Sequence, residues 1–115
     1  MATMAECRSA LDRLSDNLAT AEGDVRSAAA LDRSLSCHIK DLGITFTGRL
    51  KDGRIQVLDT IEGPPSEKAE IRLAMNGDDL VAMVNGNLNF AKAWASGRVR
   101  LEASLRDLMR LRTLL

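Results

Sequence analysis

The sequence predicts a two-layer α+β domain: a five-stranded, largely antiparallel sheet with helices covering one face. Two observations predict it. Apolar residues recur at helical spacing near both ends of the chain and alternate with polar ones at strand spacing in between. The strand-like runs are polar on alternate positions, so one sheet face is apolar and needs helices over it.

The first helix is read over residues 3–21, where Met4, Cys7, Leu11, Leu14 and Leu18 fall at 3, 4, 3, 4 spacing. The run is too short for a sustained heptad seam and suits packing on a core. Glu22-Gly23-Asp24 ends it, and Asp24 caps a short helix from Val25 to Ala30. The period then changes. Leu35, Cys37 and Ile39 alternate with Ser34, Ser36, His38 and Lys40 in a first strand. Gly43 permits a turn, and Ile44, Phe46, Gly48 and Leu50 alternate in a second. Lys51-Asp52-Gly53-Arg54 has the Asp-Gly centre of a two-residue hairpin loop. That loop sets a register in which Leu50 faces Ile55, Gly48 faces Val57 and Phe46 faces Asp59. The apolar residues of both strands then share one side, with Asp59 the exception.

Gly63-Pro64-Pro65-Ser66 is a loop, because proline cannot continue a ladder. Glu70 to Met75 is a fourth strand with Ile71, Leu73 and Met75 on one face. Asn76 caps a short helix, Asp78 and Asp79 sit in its positive first turn, and Leu80, Met83 and Val84 share a face. Gly86 stands where a left-handed cap is needed, and Leu88 follows at the apolar contact of that cap. Asn89 caps a second short helix with Phe90 and Trp94 on one face, and Gly97 stops it. Arg98 to Ala103 is a fifth strand. Ser104 caps a last helix with Leu105, Leu108, Leu111 and Leu115 along its apolar side.

Composition excludes several function classes. The 115 residues suit one domain, 1–115, with a helical segment at 1–30 and a core at 31–115. Formal net charge is zero, which argues against a general nucleic-acid binder. Charge is uneven: residues 1–24 carry five acids against two Arg, and residues 97–115 carry five Arg against Glu102 and Asp107. Solvated helix faces account for this, with attraction to a second copy or to anionic head groups as sharper readings. Cys7 and Cys37 lack C-x-x-C spacing, and with one His no zinc set assembles. Both cysteines are read as reduced core residues of a cytoplasmic protein. No apolar run approaches transmembrane length and no secretory signal is visible.

No reactive cluster emerges. His38 alternates with the apolar set of its strand, so it is expected to face solvent, and it lacks a partner in sequence. The elbow G-x-S-x-G and the phosphate-binding glycine motifs are absent. Asp78-Asp79 is explained by helix N-terminal placement. What stands out is apolar: two of the three aromatic residues, Phe90 and Trp94, fall within one helical turn. At such spacing these side chains serve as core, or they close over a sheet and leave a dry apolar gap suited to an acyl chain or sterol.

Residues Ala69 to Leu105, AEIRLAMNGDDLVAMVNGNLNFAKAWASGRVRLEASL, resemble the signature region of the sterol carrier protein type 2 (sterol-binding) family. The matching features are the A-x-I-x-L strand, the acid-capped helix at Asp78, Asp79 and Leu80, and N-G-x-L-N at Asn85, Gly86, Leu88 and Asn89. An A-x-x-x-G step (Ala93, Gly97) and the basic strand Arg98-Val99-Arg100-Leu101 complete them. The likeness extends over about 31–115. Phe90 stands where the family often has Pro, and Ala103-Ser104 where Gly is frequent. The chain ends Thr113-Leu114-Leu115, which is no peroxisomal signal.

The resemblance implies a hydrophobic tunnel between sheet and helices that binds a fatty acid, fatty acyl-CoA, sterol or phospholipid without catalysis, cofactor or metal. Expected lining residues are Phe46, Leu80, Met83, Val84, Leu88, Phe90, Trp94, Leu101, Leu105 and Leu108. Expected partners are a lipid, a transient membrane surface and a homodimer mate. The competing expectation is an interaction or regulatory module with a packed core and no ligand.

Overall fold

The structure, a computed structural model, describes residues 2–20, 32–51, 54–65 and 68–111. The expected helix at 25–30, the Asp52-Gly53 turn centre and Leu115 lie outside the described residues, as do the side chains of Leu18, Phe90 and Leu111. Helix α1 spans Met4–Thr20, followed by strands β1 (Arg33–Ile39), β2 (Ile44–Lys51), β3 (Arg54–Glu62) and β4 (Ile71–Met75). Helices α2 (Gly77–Val84) and α3 (Phe90–Ala95), strand β5 (Arg100–Glu102) and helix α4 (Leu105–Leu111) complete the order. The sheet runs β3-β2-β1-β4-β5. All neighbours are antiparallel except β1 and β4, which are parallel. This is the expected α+β arrangement with a mixed sheet.

Helix α1 opens on a reciprocal capping box. The Thr3 hydroxyl accepts from the Glu6 amide at 3.1 Å, and the Glu6 carboxylate accepts from the Thr3 amide at 3.1 Å. Its inward face is Cys7, Ala10, Leu11 and Ser15; Met4, expected on that stripe, is 53% exposed. Ser15 has a specific task. Its hydroxyl accepts the Ile55 amide at 2.9 Å, so α1 occupies part of the open edge of β3, while Arg54 pairs with Asp16 nearby.

The β2–β3 register begins as the hairpin turn dictates, with Lys51 opposite Arg54, Leu50 opposite Ile55 and Gly48 opposite Val57. It then departs from expectation. The ladder shifts between Thr47 and Gly48, so Phe46 faces Thr60, not Asp59. The extra residue of this bulge is Leu58, which is turned out to solvent at 69% exposure. The bulge needs a residue without a side chain opposite it. A Cβ on Gly48 would stand 1.9 Å from the Gln56 carbonyl oxygen.

Leu35, Cys37 and Ile39 of the central strand are all buried on the covered face. The opposite face is less open than the polar pattern suggests, since Ser36 and Thr45 are also buried. His38, expected to face solvent, is half-buried. Its Nδ1 lies 3.0 Å from the Ile44 carbonyl, an acceptor only, so Nδ1 carries the proton. The Thr45 hydroxyl donates onward to the Gly63 carbonyl at 2.8 Å.

Cys7 and Cys37 are free and buried. Burial pushes the Cys37 thiol up to about 12 from the ordinary 9.0. Below pH 9 both folded and unfolded chains keep this proton. Above it the unfolded chain loses the proton while the folded chain holds it, so stability is lost as pH rises toward about 12. Melting temperature is expected to fall across this window, and the fall should be shallower in Cys37→Ala. Equal slopes in the two proteins would refute the assignment.

Candidate functional site: the apolar sheet face and its helical cover

The covered sheet face carries two groups of buried apolar residues. One joins Cys7, Ala10 and Leu11 of α1 to Cys37, Ile39, Phe46 and Met75 of the sheet and to Leu80, Ala93 and Val99. The other is Leu35, Leu50 and Ile71. Leu73, half-buried on β4, packs against both. Leu35, Cys37 and Ile39 alternate along one strand, so both groups sit on the same face and Leu73 bridges them.

The segment from Asn76 to Val99 covers the first group. Helix α2 starts as expected after Asn76, with a different cap. The Asn76 side chain makes no capping bond, and the Gly77 amide donates to Asp41 of the β1–β2 turn at 2.9 Å. Asp78 accepts the Ala2 amide at 2.5 Å, and the buried Asp79 accepts from Arg98 at 2.5 Å. The two carboxylates therefore tie the start of α2 to α1 and to the approach of β5, beyond any effect on the helix dipole. At the other end a Schellman cap closes the helix. The Asn87 amide donates to the Ala82 carbonyl at 2.8 Å and the Gly86 amide to Met83 at 3.1 Å, with Gly86 at φ +80. Asn89 caps α3 through the Lys92 amide at 3.1 Å, and Gly97 at φ +82 closes it. Helix α4 is capped by Ser104 and docks through Asp107, which is buried and accepts from Arg33 at 3.0 Å. That bond is the main reason the Arg33 guanidinium is held above its ordinary range.

The ten expected lining residues divide by burial. Phe46 and Leu80 are in the first buried group at 3% and 1% exposure. Met83, Val84 and Leu88 are half-buried at its margin. Leu101 belongs to the margin of the second group, and Trp94 and Leu108 are half-buried. Leu105 is 76% exposed. The side chain of Phe90 is outside the described residues. Sequence reasoning missed Leu35, Leu50 and Ile71 as a separate apolar floor; their alternation marks the face but not its division. A groove of about 310 Å³ lies on the other flank of α2, among Glu6, Asp78, Asn85 and Asn87. Its polar lining does not suit an acyl chain.

Among the described residues no group of three or more His, Cys, Asp or Glu could hold a metal. Among them, too, no helix is long and apolar enough to cross a membrane.

The profile of the SCP-2 sterol transfer family matches residues 11–115. The chain belongs to that family. Solved structures agree on the fold. The sterol carrier protein domain 2 of Helicoverpa armigera is 16% identical with a TM-score of 0.64, over 95% of this chain and 84% of that one. Sterol Carrier Protein 2 Like 2 of Aedes aegypti is 10% identical with a TM-score of 0.62, over 96% and 97%. The inverting sec-alkylsulfatase Pisa1 from Pseudomonas sp. is 22% identical with a TM-score of 0.57; the match takes in 90% of this chain but only 16% of the sulfatase. A search of curated proteins returns no match.

Proposed function

We propose that this family member is a non-catalytic carrier that binds one apolar ligand, a fatty acid, acyl-CoA, sterol or phospholipid, between the sheet and the α2–α3 cover. The observation that supports it most is the division of one apolar sheet face into two groups bridged by the half-buried Leu73. A ligand chain laid along that bridge would contact Met83, Val84, Leu88, Trp94, Leu101 and Leu108, all half-buried. Phe46 and Leu80 form the wall behind them. Each buried CH₂ contributes about 0.8 kcal/mol, so some ten carbons exceed the cost of immobilising the ligand.

The reactive side chains are otherwise engaged, which supports a carrier over an enzyme. His38 gives its Nδ1 proton to a backbone carbonyl, and both thiols are buried and pushed up. Two buried free thiols also suit a cytoplasmic setting. Leu105 and Met109, at 76% and 66% exposure, share a face of α4 beside Arg106. That combination favours transient contact with an anionic lipid surface.

The test uses Trp94, the sole tryptophan. Its fluorescence is expected to change saturably with at least one of the four lipid classes, with native mass spectrometry giving one ligand per chain. A flat response to all four, and no lipid adduct, would overturn the proposal. It would favour the second reading, a ligand-free interaction module, for which the near-complete burial of Phe46 and Leu80 in one packed group speaks.

A further inference from the structure

The chain contains two Asn-Gly pairs, Asn76-Gly77 and Asn85-Gly86, one at each end of α2. Asn-Gly is the dipeptide most prone to spontaneous deamidation, because glycine leaves the attacking backbone nitrogen unshielded. The structure treats the two pairs differently.

At Asn76-Gly77 the nitrogen is locked. Gly77 is buried, and its amide proton is held by the Asp41 carboxylate at 2.9 Å. A Cβ there would already meet the Cys7 sulfur at 2.9 Å, so the backbone has no room to swing. The Asn76 carbonyl accepts two helix bonds, from Asp79 at 3.1 Å and Leu80 at 3.2 Å. At Asn85-Gly86 both residues are exposed. Among the described residues the Gly86 amide is held by the last-turn bond to Met83 at 3.1 Å, and last turns fray. A third group then acts on the side chain. Arg13 of α1 donates from its guanidinium to Asn85 Oδ1 at 2.6 Å. Arginine only donates, so the atom facing it is the amide oxygen.

We propose that Asn85 is a self-modification site and that Arg13 promotes its conversion. The Gly86 nitrogen attacks Asn85 Cγ and gives up its proton; a new N–C bond forms and negative charge gathers on Oδ1. The guanidinium sits where that charge develops, as an oxyanion donor does in acyl transfer. The Cγ–Nδ2 bond then breaks and Nδ2 leaves as ammonia, carrying the proton. Water opens the resulting succinimide at either carbonyl, giving aspartate or isoaspartate. No oxidant or cofactor takes part. The product places a carboxylate against Arg13, in the groove that already holds Glu6 and Asp78.

The experiment incubates the folded 115-residue chain at mildly alkaline pH and follows amide-to-acid conversion by mass spectrometry. Trypsin releases residues 73–92 as one peptide carrying both sites, and fragment ions separate them. Asn85 is expected to convert at least about tenfold faster than Asn76 in the folded protein, and the two rates to converge in urea. Arg13→Ala should slow Asn85 by about tenfold, a small fraction of the effect of a buried oxyanion donor because this pair is exposed. Arg13→Lys should restore part of the rate. Folded-state conversion of Asn76 at or above the rate of Asn85 would overturn the site, and an unchanged Asn85 rate in Arg13→Ala would overturn the role of Arg13. Loosening of α1 by the substitution would show as faster conversion at Asn76, whose Gly77 packs on α1; the Arg13→Lys rate then decides.

Discussion

Gly48→Ala is expected to abolish the native β2–β3 pairing. The added methyl would lie 1.9 Å from the Gln56 oxygen, 2.9 Å from the Gln56 carbonyl carbon and 3.1 Å from Val57 Cα. All three are backbone atoms of a paired strand, so no side-chain rotation relieves the clash. Either the bulge moves or the ladder opens. Moving the bulge one residue toward the turn would leave Val57, in place of Leu58, without a partner on β2. Opening the ladder would release Ile55 from Leu50 and from its bond to Ser15. A loss of roughly 4 kcal/mol or more is expected, at the extreme of single substitutions. Urea unfolding measures it directly. A cost below about 1 kcal/mol would mean that the strand gives way locally and that Gly48 does not fix the bulge.

The hairpin shows how far sequence reasoning reaches. Its register was legible near the turn because two-residue loops leave little choice, and Leu50 and Gly48 have the expected partners. Beyond Gly48 the prediction fails by one residue. Val57-Leu58 is an adjacent apolar pair that breaks the alternation running from Arg54 to Val57, and that break was the available signal of a bulge. The pairing of β1 with β4, by contrast, has no local signature. It joins strands separated by a hairpin and a proline loop, and only packing on both faces decides it.

Helix ends follow the same division. Gly86 and Gly97 were legible as left-handed stops because the requirement is local and glycine alone meets it cheaply. The Asn76 cap was not, because Asp41 holds the first-turn amide of Gly77 from a turn 36 residues away. Within the site, spacing revealed which residues share a helix face. It did not reveal how deep each one lies. Leu80 and Met83 occupy neighbouring places on one stripe, yet Leu80 is 1% exposed and Met83 lies half-buried at the margin. Depth depends on α1, which crosses this part of the fold through contacts that no short-range pattern encodes.

That difference in depth gives the second large effect. Leu80→Ala is expected to cost about 3–5 kcal/mol, since the residue is enclosed by α1 and the sheet and a cavity would remain. Met83→Ala removes a similar volume from a half-buried position and is expected to cost only about 1–2 kcal/mol. Under the carrier reading the two variants should reverse order in the Trp94 titration. Met83→Ala would weaken lipid binding by a few-fold to about tenfold, because the lost atoms faced the ligand. Leu80→Ala, where it remains folded, would leave affinity nearly unchanged, because its contacts are with the wall behind. Thermal melts and lipid titrations on both proteins supply the four numbers. Parallel losses of stability and affinity in each variant would mean that wall and lining are one packed body, and would remove the support that Leu73 and the marginal side chains give to a ligand channel.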